Sequence, residues 1–158
     1  MKTAIVCSSK YGTTKKVAVL IAEKITSDND VVFMSLSDNP KPDLSPFEKV
    51  ILGTSVYAGK PRKDMVKFCR QYQSVLESKV IGLFVCGMQW KNKEQELKDA
   101  FPEYLHNIAK AEVFVGGELL LEEMNFFERA LIKKMVKTDK SVSKLDYEAI
   151  DSFSEKMN

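Results

Sequence analysis

The 158-residue chain has one histidine, one tryptophan and three cysteines, and each scarcity removes a class of chemistry. His106 sits in a polar stretch, Glu103-Tyr104-Leu105-His106-Asn107, far in sequence from any serine or cysteine that looks poised. A Ser–His or Cys–His catalytic pair would have to use it, and it reads instead as a surface helix residue. Cys7, Cys69 and Cys86 are odd in number and scattered, with no C-x-x-C and no zinc spacing. They read as small buried hydrophobes rather than a disulfide scaffold or a metal site. Five prolines and seven glycines are too few for a disordered or collagen-like chain. Long apolar runs are missing too: the longest, Val80 to Met88, is about half a membrane span. Met1-Lys2 leads into Thr3-Ala4-Ile5-Val6-Cys7 and then Ser8-Ser9-Lys10, too short a run for a secretory leader, so a cytoplasmic location is expected. Charge of one sign is scarce as well. Twenty-four Lys+Arg against 22 Asp+Glu leave +2, short of the excess expected of a nucleic-acid binder, and no such partner is expected.

What is present is an alternation of short apolar runs and helical periodicity. Thr3–Cys7 is continuously apolar, as a strand buried on both faces should be. Thr13 to Ile25 turns helical, with Val17, Leu20, Ile21 and Ile25 on one face. Asp30–Leu36 and Val50–Leu52 read as the second and third strands, with a loop punctuated by Pro40, Pro42 and Pro46 between them. Lys63 to Leu76 reads as a helix, Val80–Cys86 as the fourth strand, and Lys93 to Ile108 as a helix broken near Pro102. Glu112–Gly116 reads as the fifth strand, extendable to Leu121, followed by helices over Met124–Lys137 and Asp146–Met157. Strand–helix alternation implies right-handed crossovers. The expectation is one domain over residues 1–158: a three-layer, doubly wound α/β fold with a five-stranded parallel sheet of order 2-1-3-4-5. Ligands of such sheets sit outside the carboxyl ends of the strands, which points to the loops after strands one, three and four.

The first of these loops reads Ser8-Ser9-Lys10-Tyr11-Gly12-Thr13-Thr14 and opens a helix. A helix N-terminus offers unpaired N–H groups and the positive end of a dipole, Gly12 admits close approach, and Ser9, Thr13 and Thr14 add hydroxyls. The plainer alternative is that Thr13 or Thr14 is only an N-cap. Known nucleotide motifs, G-x-x-x-x-G-K-[ST] and G-x-G-x-x-G, are absent, and no acidic residues end the first strand as a response regulator would need. Ser9-Lys10-Tyr11-Gly12-Thr13-Thr14 resembles the flavodoxin phosphate loop, [ST]-x-[ST]-G-x-T, with Lys10 at the variable position and Tyr11 where flavodoxins often carry Thr. The resemblance implies a flavodoxin-like fold and FMN as cofactor, its phosphate held by these six residues.

After strand three comes Gly53-Thr54-Ser55-Val56-Tyr57-Ala58-Gly59-Lys60-Pro61. Small residues leave room for a flat ring, Tyr57 offers a stacking face, and Gly59 allows a peptide flip; an ordinary turn with an exposed Tyr is the alternative. After strand four comes Cys86-Gly87-Met88-Gln89-Trp90-Lys91. Taken alone, Trp90 reads as packing. The resemblance implies that the flavin ring lies between these two loops, with Thr54, Ser55, Val56, Tyr57, Ala58 and Gly59 on one side, and Cys86, Gly87, Met88 and Trp90 on the other. Met88 stands where flavodoxins often carry Asp, and the chain is far less acidic than they are. One unit charge ~6 Å from the reduced ring is worth roughly 2–3 kcal/mol, or about 100 mV for one electron. Full reduction of the flavin is therefore expected to be easier here than in acidic flavodoxins.

Residues 129–144 hold six Lys/Arg and one Asp. Phe126, Phe127, Leu131, Met135 and Val136 form an apolar face beside Lys133, Lys134 and Lys137. Such a helix suits a membrane surface or an acidic partner, or simply covers the sheet with a solvated lysine edge. This segment, with Met1-Lys2-Thr3 and Gly53-x-Ser55…Gly59, is similar to the menaquinone-dependent protoporphyrinogen oxidase branch of the flavodoxin-like superfamily, which implies oxidation of an acidic tetrapyrrole and contact with a quinone. The leading expectation is an FMN-binding redox protein exchanging electrons with a partner protein or a small-molecule donor or acceptor. The alternatives are an FMN-dependent oxidoreductase of the quinone-linked type and a flavin-free interaction scaffold. No residue pair reads as a general acid and base, so no catalytic residue is assigned.

Overall fold

The computed structural model describes residues 1–9, 12–25, 30–57, 59–119, 124–136 and 142–158. Its parallel strands are β1 (Thr3–Ser8), β2 (Val31–Ser35), β3 (Lys49–Tyr57), β5 (Val80–Cys86) and β6 (Ala109–Phe114), in the order β2-β1-β3-β5-β6. A two-residue strand β4 (Lys60–Pro61) folds back antiparallel on β3. Counting only the parallel strands, this is the 2-1-3-4-5 order expected. The helices are α1 (Thr13–Lys24), α2 (Lys63–Gln71), α3 (Gln73–Leu76), α4 (Lys93–Ala100), α5 (Glu103–Ile108), α6 (Phe126–Val136) and α7 (Tyr147–Met157).

Strand alternation divides the core in two. Ala4 and Val6 of β1 face a cluster built with Met65, Phe68, Leu76, Ala100 and Leu105 from α2 to α5. Ile5 and Cys7 face the other, built with Val17, Ala18 and Ile21 of α1 and Ile150, Phe153 and Met157 of α7. This period of two, read against helical stripes on both sides, makes the three layers. All three cysteines are free and buried, as their spacing suggested.

Several elements differ from expectation. β3 does not stop at Leu52 but runs nine residues, because its far end gains a second partner: Val56 pairs with Pro61 and Tyr57 with Lys60. Gly53 lies inside this strand, and a Cβ there would collide with the Phe84 ring. The room it leaves is filled by Phe84 of β5, not kept for a ligand. The helix expected over 63–76 breaks at Tyr72 (φ −102°, ψ 13°), where the Tyr72 hydroxyl donates to the Pro42 carbonyl at 2.9 Å. The break near Pro102 falls where expected, between α4 and α5. The fifth parallel strand begins at Ala109 and ends at Phe114. Beyond it, β7 (Gly116–Leu119) pairs antiparallel with β8 (Val142–Leu145) in a separate ribbon; Leu120 and Leu121 lie outside the described residues. Gly116, at φ 78°, makes the turn between β6 and β7.

α7 closes one face. Asp146 caps it, accepting from the Ala149 N–H at 3.0 Å. At its other end the Lys49 amine donates to the Met157 carbonyl and Lys110 Nζ to the Asn158 carbonyl, cations at the negative end of a helix dipole. Among the described residues no helix is long and apolar enough to cross a membrane.

Candidate functional site

The carboxyl ends of β1, β3 and β5 meet on one edge of the sheet. Ser8 is in register with Thr54, Thr54 with Val85, and Ser55 with Cys86. From Ser8 the chain passes Ser9 and reaches Gly12, which precedes α1 in the left-handed conformation (φ 82°). The N-cap is therefore Gly12 rather than Thr13 or Thr14; Lys10 and Tyr11 lie outside the described residues. The Gly12 N–H donates to Ser9 Oγ at 3.1 Å. A Cβ on Gly12 would meet nothing within 4 Å, so glycine serves the backbone angle here and leaves the approach open.

The start of α1 is left unsatisfied. Lys16 N–H bonds the Gly12 carbonyl at 3.0 Å, and the N–H groups of Thr13, Thr14 and Lys15 before it have no acceptor within the helix. No side chain caps this end, and its first turn carries no acidic residue. The hydroxyls of Thr13, Thr14 and Thr54 are buried without a hydrogen-bond partner. That of Thr14 faces the Cys86 thiol, a weak partner, without hydrogen-bond geometry. An unpaired buried hydroxyl costs about 1–3 kcal/mol, so the two in the first turn of α1, Thr13 and Thr14, are a sizeable debt to folding. A phosphate ester fits that donor set: main-chain N–H groups, hydroxyls and the positive end of a helix.

A second cluster ties the first strand to the turn after the third. Ser8 Oγ donates to Asp64 Oδ1 at 2.5 Å and accepts from Arg62 Nε at 2.7 Å, and Arg62 lies 3.5 Å from Asp64. Arg62 and Asp64 follow β4 directly, so this cluster fixes the β3–β4 turn against the end of β1. That turn contains Gly59 at φ 72°; Ala58 lies outside the described residues. Thr54, Ser55, Val56 and Tyr57 therefore present themselves from strand β3 rather than from a loop, and Tyr57 is half-buried at its end. Sequence reasoning missed Ser8, Arg62 and Asp64. The available signal was a hydroxyl ending a strand and a cation–acid pair flanking a helix start.

The segment after β5 is tightly enclosed. Gly87 N–H donates to the Gly116 carbonyl at 2.9 Å. A Cβ on Gly87 would collide with the Glu96 carboxylate, and one on Gly117 would lie 3.0 Å from the Gly87 carbonyl oxygen. Glu96 is buried, its Oε2 has no partner, and burial pushes its pKa up to about 7. Met88 is half-buried. Trp90 opens a short 3-10 turn over Trp90–Asn92, packs edge-on against Phe114 with ring centroids 5.2 Å apart, and covers Gly116. Glu118 of β7 pairs with Lys16 of α1 at 3.2 Å, so the ribbon reaches the first turn of the helix.

Nothing here resembles an activated nucleophile. Burial pushes the Cys86 thiol up to about 12, Glu118 adding to the effect, and raises Cys7 well above the usual thiol range. His106 is a tie between elements rather than a free surface side chain. Its Nδ1 faces Glu112 Oε1 at 2.7 Å, and its Nε2 faces the Lys98 and Phe101 carbonyls at 3.1 Å each. Among the described residues no group of acids, histidines or cysteines is arranged to hold a metal.

Comparisons with known proteins follow the same line. No curated protein matches the chain. Among solved structures it is similar to a flavodoxin from Streptococcus pneumoniae TIGR4, at 20% identity over 99% of this chain and 97% of that one, TM-score 0.59. It is similar to flavodoxin 2 from Bacillus cereus at 18% identity over 99% and 97%, TM-score 0.56. A flavodoxin from the domain Archaea shares 17% identity over 99% of both chains, TM-score 0.52. At these identities the likeness establishes the fold. A flavodoxin-domain family model matches residues 4–146, nearly the whole chain, and the protein belongs to the flavodoxin-domain family.

Proposed function

We propose that this protein binds FMN at the carboxyl edge of its sheet and passes electrons to or from a partner. The observation that carries the reading is the group of buried, unpartnered threonine hydroxyls at an uncapped helix start, in a chain of the flavodoxin-domain family. Ser9, Thr13 and Thr14, with the first amides of α1, would hold the phosphate. Thr54 to Gly59 and Gly87 to Trp90 would flank the ring, Tyr57 and Trp90 supplying aromatic faces. Bound FMN supplies reversible electron acceptance; the chain positions it, excludes water and sets the surrounding charge. Free buried cysteines accord with a reducing, cytoplasmic setting.

A partner-facing surface lies on α6. Phe126 and Phe127 are 79% and 81% exposed, stack edge to face, and share the helix with exposed Lys133 and Lys134. We assign to α6, which carries the first part of the basic 129–144 region, contact with a membrane surface or a quinone. Residues 137–141 lie outside the described residues.

The decisive measurement is the absorption spectrum of the purified chain after incubation with excess FMN and gel filtration. A yellow, flavin-loaded protein supports the reading. A colourless one whose melting temperature has not moved overturns it and leaves a scaffold. Anaerobic bleaching of the bound flavin by NAD(P)H, quinols or porphyrinogens would show an enzyme with its own substrate.

A further inference from the structure

A groove of about 540 Å³ runs along α2 beside the β3–β4 turn, lined by Lys60, Pro61, Lys63, Val66, Lys67, Arg70 and Gln71. Lys63, Lys67 and Arg70 fall at i, i+4 and i+7 of one helix, which spreads their charges over ~10 Å of its axis. Together with Lys60 they are exposed, and among the described residues none of the four makes an ion pair or a side-chain hydrogen bond. Like charges one turn apart on an exposed helix repel. The one acid on α2, Asp64, brings no relief, because it is committed to Ser8 and to Arg62. Pro61, half-buried Val66 and the lysine stems give the groove an apolar floor.

We propose that this groove docks an acidic segment of a partner protein. Small-anion sites rely on a few convergent donors. Here the cations form a row, and a row of cations over an apolar floor suits carboxylates carried along a chain. Lys60 directly follows Gly59, so a segment in the groove touches the turn assigned to the flavin ring; that consequence rests on the FMN reading, whereas the docking itself does not. The surface is distinct from α6, whose exposed phenylalanines suit a different contact.

The test is fluorescence anisotropy of a dye-labelled hexaglutamate peptide, on flavin-free and on FMN-treated protein. Binding is expected in both, weakening steeply between about 50 and 200 mM salt. Lys63→Glu/Lys67→Glu should weaken it about tenfold or more, while Lys133→Glu/Lys134→Glu, the same charge change on α6, leaves it within about twofold. Circular dichroism and melting temperature confirm that both variants fold. Absence of binding, or equal loss in the two variants, overturns the proposal. So does displacement of the peptide by inorganic pyrophosphate where sodium chloride of matched ionic strength fails, which marks a small-anion site. A chain that binds the peptide and never takes up FMN keeps the groove and loses the flavin reading.

Discussion

At the residue scale, Thr13 and Thr14 set stability against affinity. Their hydroxyls are buried and unpaired in the chain alone, and a charged acceptor would satisfy them. Thr13→Val/Thr14→Val should therefore raise the FMN dissociation constant about 100–10,000-fold, since each 1.4 kcal/mol is tenfold and each of the two lost hydrogen bonds to a charged group contributes ~1.5–3 kcal/mol. In the absence of FMN the same variant should melt no lower than the parent, because removing an unpaired buried hydroxyl is neutral or stabilising. Titration calorimetry and thermal melts read the two effects; a lower flavin-free melting temperature with unchanged affinity would make these threonines purely structural. Glu96 carries a pH signature. Burial raises it to about 7, so the folded chain holds this proton more tightly than the unfolded chain, where a glutamate titrates near ~4.3. Its penalty on folding is absent below that lower value, grows as pH rises towards 7, and is complete above it. The melting advantage of Glu96→Gln over the parent should widen from about pH 5 to pH 8. Parallel melting curves across that range would remove Glu96 from the balance.

At the scale of elements, the end of α7 and the loop after β5 can be tested separately. Asp146→Ala removes the cap on the Ala149 N–H and should cost about 1 kcal/mol by denaturant unfolding. Gly87→Ala forces a methyl into the Glu96 carboxylate and towards the Phe114 ring, and should cost about 1–3 kcal/mol. An alanine variant as stable as the parent would mean that α4 yields at that point. Other elements show what a sequence exposes. Buried strands such as Thr3–Ser8 and Val80–Cys86, and helix stripes such as Val17 and Ile21, are local patterns of period two and 3.6, so their places and order could be read directly. The length of β3 could not, because Gly53 interrupts the apolar pattern for the sake of Phe84, thirty-one residues later. The β7–β8 ribbon was hidden for a related reason: Gly116-Gly117 looks like a strand tail until Lys144 and Trp90 are placed against it. The phosphate-loop candidates are contiguous and were legible; Ser8, Arg62 and Asp64, and Glu96 behind Gly87, are assembled only by the fold.

At the scale of the whole molecule, a ligand that binds only the folded chain adds its binding free energy to stability. At an FMN concentration about 100 times the dissociation constant the gain is ~2.7 kcal/mol, and the melting temperature should rise by roughly 5–11 °C. Differential scanning fluorimetry over an FMN series reads this directly; a melting temperature independent of FMN concentration would exclude a site on the folded state.

The position of α7 has a further consequence. Ile150, Phe153 and Met157 complete the cluster against Ile5, Ile51 and Phe84, strands made long before the helix is. While residues 147–157 are still in the ribosomal tunnel, one side of the nascent sheet is covered by α1 alone, and the part that α7 will bury stays sticky. The chain must therefore finish folding late, and stalled or truncated products ending before that helix are the species expected to aggregate or to call on chaperones.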